Sequence, residues 1–121
     1  MKKKLPKNVF FFQDDVYCQE FMIVITPTHA KFRKFIKEYL NYDIEKDDEC
    51  TGQFQGLHHK NGNDLAIIWS SDRKSNLVHE IFHAVSYVLR NRDITLDNES
   101  SEEAYCYYFS YVYREIHERL R

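Results

Sequence analysis

The chain has 121 residues, a formal charge of -2, 43% hydrophobic residues and 30% charged residues. That length fits one domain, residues 1–121, around one core, and the balance of apolar and charged residues excludes a disordered chain. The small net charge provides no global attraction for nucleic acid or anionic lipid, so neither is an expected partner.

The N-terminus is basic, but its apolar run extends only from Val9 to Phe12 before Gln13, Asp14 and Asp15 end it. That is too short for a signal-peptide core or a membrane span. Cys18, Cys50 and Cys106 are far apart, make no CxxC pair and cannot all pair with one another. Both features predict a cytoplasmic protein with reduced thiols and no membrane partner. Lys2 to Lys4 read as a solvated end.

In chain order, residues 8–15 and 16–26 are rich in β-branched and aromatic residues. They predict two strands, or one strand broken near Asp14-Asp15. Residues 26–43 predict a helix capped by Thr26 or Thr28, with Phe32, Phe35, Ile36 and Tyr39 recurring at intervals of three and four. Lys31, Arg33, Lys34 and Lys37 coat its other, solvated side. The acidic stretch 41–52 lacks the alternating ligands, sixth-position Gly and twelfth-position Glu of a calcium loop. Residues 51–71 predict a hairpin turning at Lys60–Asp64, with "LAIIW" as the central strand. Two helices, about 73–91 and 99–120, complete the chain. The fold class is therefore α+β: a small, mainly antiparallel sheet packed on the last two helices, with one helix between its strands.

The first of those last helices contains "NLVHEIFHAVSYVL". Leu77, Val78, Ile81, Phe82, Val85, Val88 and Leu89 form its apolar stripe, and His79 and His83 lie off it. At about 100° per residue the two imidazoles are about 40° apart and one turn apart, so both can reach one ion. Glu80 lies about 100° from His79 and flanks the ion instead of binding it. From there it can hold the attacking water and take its proton, while zinc would lower that water's pKa towards about 7. The alternative is an amphipathic helix whose histidines simply face solvent. H-E-x-x-H by itself is moderately specific; a strongly periodic helix and a downstream carboxylate strengthen it.

Catalytic zinc takes three protein ligands and keeps one position open. Glu99, Glu102 and Glu103 open the last helix. Asn98, Ser100 or Ser101 can cap that helix, and Ser100 with Glu103 fits a capping box, which gives Glu103 a structural alternative. The motif, with nineteen residues between His83 and Glu103, resembles the gluzincin branch of zinc metallopeptidases, thermolysin included. "EEAYCYYF" is also similar to the E-x-E-A-x-x-F-A pattern of the small ImmA/IrrE-type metallopeptidases of bacteria and phages. The resemblance covers about residues 76–112 and implies a zincin-like fold. It also implies His79, His83 and Glu103 as zinc ligands and Glu80 as general base. The chain departs from it at Tyr107, where thermolysin-like enzymes place an aspartate that supports a ligand histidine. The third histidine of metzincins is absent.

Helical arithmetic leaves Glu102 open as the third ligand. The apolar stripe of the last helix is Tyr105, Phe109, Val112, Ile116 and Leu120. Glu102 lies on its edge, and Glu103 lies nearly opposite. His58, His59, His117 and several tyrosines are candidate oxyanion donors, and His29 reads as structural. The expected function is zinc-dependent hydrolysis of a peptide or protein substrate, which an edge strand could hold by strand addition. The alternatives are a metal-bearing regulatory module that recognises a partner without turnover, and a metal-free helical interaction protein.

Overall fold

Val9–Gln13 forms strand β1 and Glu20–Ile25 forms β2, antiparallel neighbours in a computed structural model that describes residues 5–58 and 64–120. The break near Asp14-Asp15 is thus the loop of a β1–β2 hairpin. Buried Asp14 organises that loop by accepting hydrogen bonds from the backbone N–H groups of Val16, Tyr17 and Gln19 at 2.8, 2.5 and 3.1 Å.

Helix α1 spans His29–Leu40. Its cap is Thr28, whose hydroxyl accepts from the Lys31 N–H. Thr26 instead accepts from the Trp69 indole at 2.8 Å. The face of α1 that is buried carries His29, Phe32 and Ile36; Tyr39 is exposed, with its ring against Phe11 of β1 and Phe35.

Strands β3 (Gly52–His58) and β4 (Asp64–Ser70) follow, antiparallel to each other. The turn expected between them, up to Asn63, lies outside the described residues, as do His59 and Lys2 to Lys4. The sheet order is β1-β2-β4-β3, and β4 is parallel to β2. The sheet is therefore mixed, and two of its three pairings are antiparallel. β4 is interior, as its unbroken apolar run predicts, because both of its faces are covered.

Helix α2 (Ser75–Arg90) and helix α3 (Glu99–Arg119) cover one face, where Phe21, Ile23, Ala66 and Ile68 meet Leu77, Ile81, Val85, Val112 and Ile116. Helix α1 covers the other face, over Met22, Val24, Ile67 and Trp69. Side chains alternate along each strand, so one stretch of sheet supplies both cores. Among the described residues, no helix is long and apolar enough to cross a membrane.

The antiparallel hairpin of α2 and α3 is tied at both ends. Arg73 donates to the Leu120 carbonyl at 2.6 Å, and the Tyr105 hydroxyl donates to the Ile94 carbonyl at 2.9 Å. The capping box of α3 is Asn98 with Ser101, not Ser100 with Glu103. An Asn at the cap places Ser101, not Glu103, at the position that closes the box. On the inward face of α3 the residue beside Tyr105 is Tyr108, with Phe109 only partly buried.

Candidate metal centre

Helix α2 packs on the sheet through Leu77, Ile81, Ala84, Val85, Val88 and Leu89. That stripe turns the opposite side of the helix, with His79 and His83, to solvent. The two Nε2 atoms are 3.1 Å apart, and the rings meet edge to face at 4.8 Å. Two nitrogens bound to one tetrahedral zinc at about 2.0–2.1 Å would be separated by about 3.3 Å. Two neutral acceptor nitrogens at this distance would repel each other; a cation or a shared proton between them removes the repulsion.

Glu80 differs from the histidines in being buried, with one carboxylate oxygen 3.9 Å from His79 Nε2. Burial pushes its carboxyl above the usual range, and the imidazoles of His79 and His83 oppose that shift. His79, Glu80 and His83 can each offer a ligand atom within 4.8 Å of the others, the one such group among the described residues.

Strand β3 closes the Glu80 flank. A Cβ at Gly52 would lie 2.8 Å from Glu80 Cγ and Oε2, so only glycine lets the strand approach the carboxylate as it does. Two turns further along α2, Gly56 gives the same clearance to the Tyr87 ring, at 2.7 Å. These two glycines share one face of β3 with Phe54, whose ring contacts Tyr87. The sequence carried this signal as two glycines four residues apart in an edge strand, and reading it requires knowing which helix lies beneath.

Glu103 does not join the histidine group. It is exposed on the side of α3 opposite Ser101, Tyr105, Tyr108 and Val112, and it shares that side with Tyr107, which is 73% exposed. Glu102 is also exposed, but it lies about 20° from the direction of Phe109, which faces Phe82 of α2. The contacts of Phe82 with Tyr105 and Phe109 set the first turn of α3 beyond His83, towards the C-terminal end of α2.

The other candidates are engaged elsewhere. His58 pairs with Asp64 at 2.5 Å and lies beside Tyr87, about 12 Å along α2 from His79. His117 packs at a tilt against Tyr113 near the end of α3. His29 is buried, bonded through Nε2 to the Gln53 side chain at 2.7 Å while Nδ1 accepts from the Asp47 N–H, so its role is structural. Cys18, Cys50 and Cys106 are free thiols.

Comparison with protein-family models, curated proteins and solved structures gives no match.

Proposed function

We propose that the chain is a zincin-like zinc metallopeptidase of the kind its H-E-x-x-H segment resembles. The observation that carries this reading is the 3.1 Å approach of two solvent-facing imidazole nitrogens beside a buried carboxylate. His79 and His83 hold the ion. Zinc, when bound, supplies a Lewis acid that polarises the peptide carbonyl and makes water acidic enough to attack at neutral pH. Glu80 accepts the proton of the attacking water and returns it to the amine nitrogen as the C–N bond breaks. The raised proton affinity that burial gives Glu80 suits both transfers. β3 is an edge strand beside this carboxylate and offers an extended peptide a line of backbone partners.

The third ligand in this proposal is a carboxylate from the first turn of α3. Spacing and resemblance favour Glu103; the face of α3 turned towards α2 favours Glu102. Either requires that turn to draw in towards His83. The second reading, a metal-bearing regulatory module without turnover, draws its support from the same fact: no α3 carboxylate stands in the histidine group.

Elemental analysis of untagged protein tests the centre, with about one zinc per chain expected. Metal that stays substoichiometric after zinc is resupplied rejects the site. Cleavage of a peptide library, abolished by a chelator and restored by zinc, separates the peptidase from the module.

A further inference from the structure

Four of the nine tyrosines gather at one place outside the histidine group. Tyr107, Tyr108 and Tyr111 of α3 and Tyr17 of the β1–β2 loop, with Val16 and Ala104, line a cavity of about 260 Å³. Ala104, Tyr107, Tyr108 and Tyr111 fall within about 100° of one another around α3. Ala104 is the small residue among them and leaves space between the rings. The loop wall is fixed. Asp14 holds the backbone N–H groups of Val16 and Tyr17, and the Asp15 N–H donates to the Tyr111 hydroxyl at 3.2 Å. Tyr17 meets Tyr108 edge to face at 5.1 Å, and the rings of Tyr108 and Tyr111 are 6.3 Å apart. The cluster is open to solvent at Tyr107, 73% exposed, and Val16, 59% exposed.

We propose that Tyr17, Tyr107, Tyr108 and Tyr111 form an aromatic cage for an alkylated ammonium head group, carried by a free small molecule or by a methylated lysine. This site does not rest on the metallopeptidase reading. The face of an aromatic ring is electron-rich and attracts cations. Arg92 already lies over the Tyr17 ring, 5.1 Å from its centroid, and no cation is among the residues that line the cavity. Asp14 acts on the Tyr108 hydroxyl more strongly than Arg92 does. The exposed carboxylates Asp15 and Glu103 adjoin Val16 and Ala104 in the chain. The charge around the cavity therefore favours a cation over a neutral apolar group. The hydroxyls of Tyr108 and Tyr111 are engaged with Asp14 and the Asp15 N–H, so the walls offer mainly ring carbon. A bare ammonium would lose the water on its N–H groups there without regaining acceptors. A fully alkylated head group has no N–H to satisfy.

The test follows backbone amide shifts by NMR as choline, or its neutral isostere 3,3-dimethylbutan-1-ol, is added to the full chain. Choline should bind about tenfold or more tighter than the isostere, with the largest shifts at Val16, Tyr17, Ala104 and Tyr107. Tyr107→Leu should weaken choline about tenfold, whereas Tyr107→Phe, which keeps the ring, should stay within about threefold of the parent. Because Tyr107 is exposed, neither change disturbs the core. Ala104→Leu should fill the cavity and abolish choline binding, with amide shifts elsewhere unchanged. An N-acetyl trimethyllysine amide separates the two sources. It binds tighter than choline if the head group arrives on a protein, and no tighter if it arrives free. Equal binding of choline and the isostere would reduce the site to an apolar cavity and overturn the cage. Choline that does not bind, that shifts residues elsewhere, or that binds Tyr107→Leu as it binds the parent overturns it as well.

Discussion

Glu80 is the residue on which the proposed chemistry turns. It is the one carboxylate on α2, it is buried, and its neighbours on both sides of the helix turn are the two imidazoles. Glu80→Gln keeps the volume and can still hydrogen-bond to water, but it cannot accept a proton. We expect zinc content and thermal stability close to those of the parent and hydrolysis reduced by about 10²- to 10⁴-fold. A variant that cleaves at the parental rate removes Glu80 from the mechanism. Gly52 tests the same carboxylate from the strand side. Gly52→Ala puts a methyl group 2.8 Å from Glu80 Cγ and Oε2, and a flexible side chain can yield where a backbone could not. The expected result is a folded, zinc-binding protein with impaired turnover; turnover equal to the parent's would show that Glu80 does not work from the position beside β3. The histidines and the glutamate were legible in the sequence because their spacing alone places them on a helix. The glycine was not, because its role depends on a strand meeting a helix that follows it in the chain.

At the scale of elements, the strands and helices follow hydrophobic periodicity closely. Residues 21–24 of β2 and 65–69 of β4 are apolar without alternation and are buried on both faces, whereas α2 has one apolar stripe and is covered on one side. Local pattern was a weaker guide to how α3 is rotated. Tyr108 reads as an ordinary aromatic until its partner is known: its hydroxyl donates to Asp14 at 2.7 Å, ninety-four residues away, and this draws Tyr108 inward in place of Phe109. The rotation of α3 decides which glutamate can reach α2. Neighbours on a helix diverge by about 100°, so only one can point at the ion. Glu103→Ala and Glu102→Ala, each competed against a zinc chelator, should therefore differ. On spacing, Glu103→Ala loses zinc affinity and Glu102→Ala changes it little, beyond about 0.3–1 kcal/mol at the helix N-terminus. The reverse ranking would mean that the face of α3 turned towards Phe82 in the structure carries the ligand. Equal retention by both variants would move the third bond off this turn.

At the scale of the whole molecule, the contact between Asp14 and Tyr108 joins the β1–β2 loop to α3, the element that carries the proposed third ligand. Tyr17 extends the tie: its ring meets Tyr108 edge to face at 5.1 Å, lies under the Arg92 guanidinium, and its carbonyl accepts from Arg92 at 3.1 Å. Burial, followed by the hydrogen bond to the Asp14 carboxylate and its charge, drives the Tyr108 hydroxyl far above the ordinary tyrosine range. An unfolded tyrosine ionises near pH 10. Above that pH the unfolded chain releases this proton and the folded chain retains it, so stability falls as pH rises. Below about pH 10 the contribution is fully present. Between pH 8 and pH 11 the loss due to this one group is about 1.4 kcal/mol. Tyr108→Phe removes the hydroxyl and should cost about 1.5–3 kcal/mol at pH 8, the range for a hydrogen bond to a charged group. It should also lack that alkaline loss, so the gap between parent and variant narrows by about 1.4 kcal/mol at pH 11. Urea unfolding of both proteins at the two pH values measures this directly, and ionisation of the remaining tyrosines cancels in the comparison. A gap that stays constant from pH 8 to pH 11 would mean that Tyr108 ionises as readily in the folded chain as in the unfolded one, and that Asp14 does not hold α3 through it.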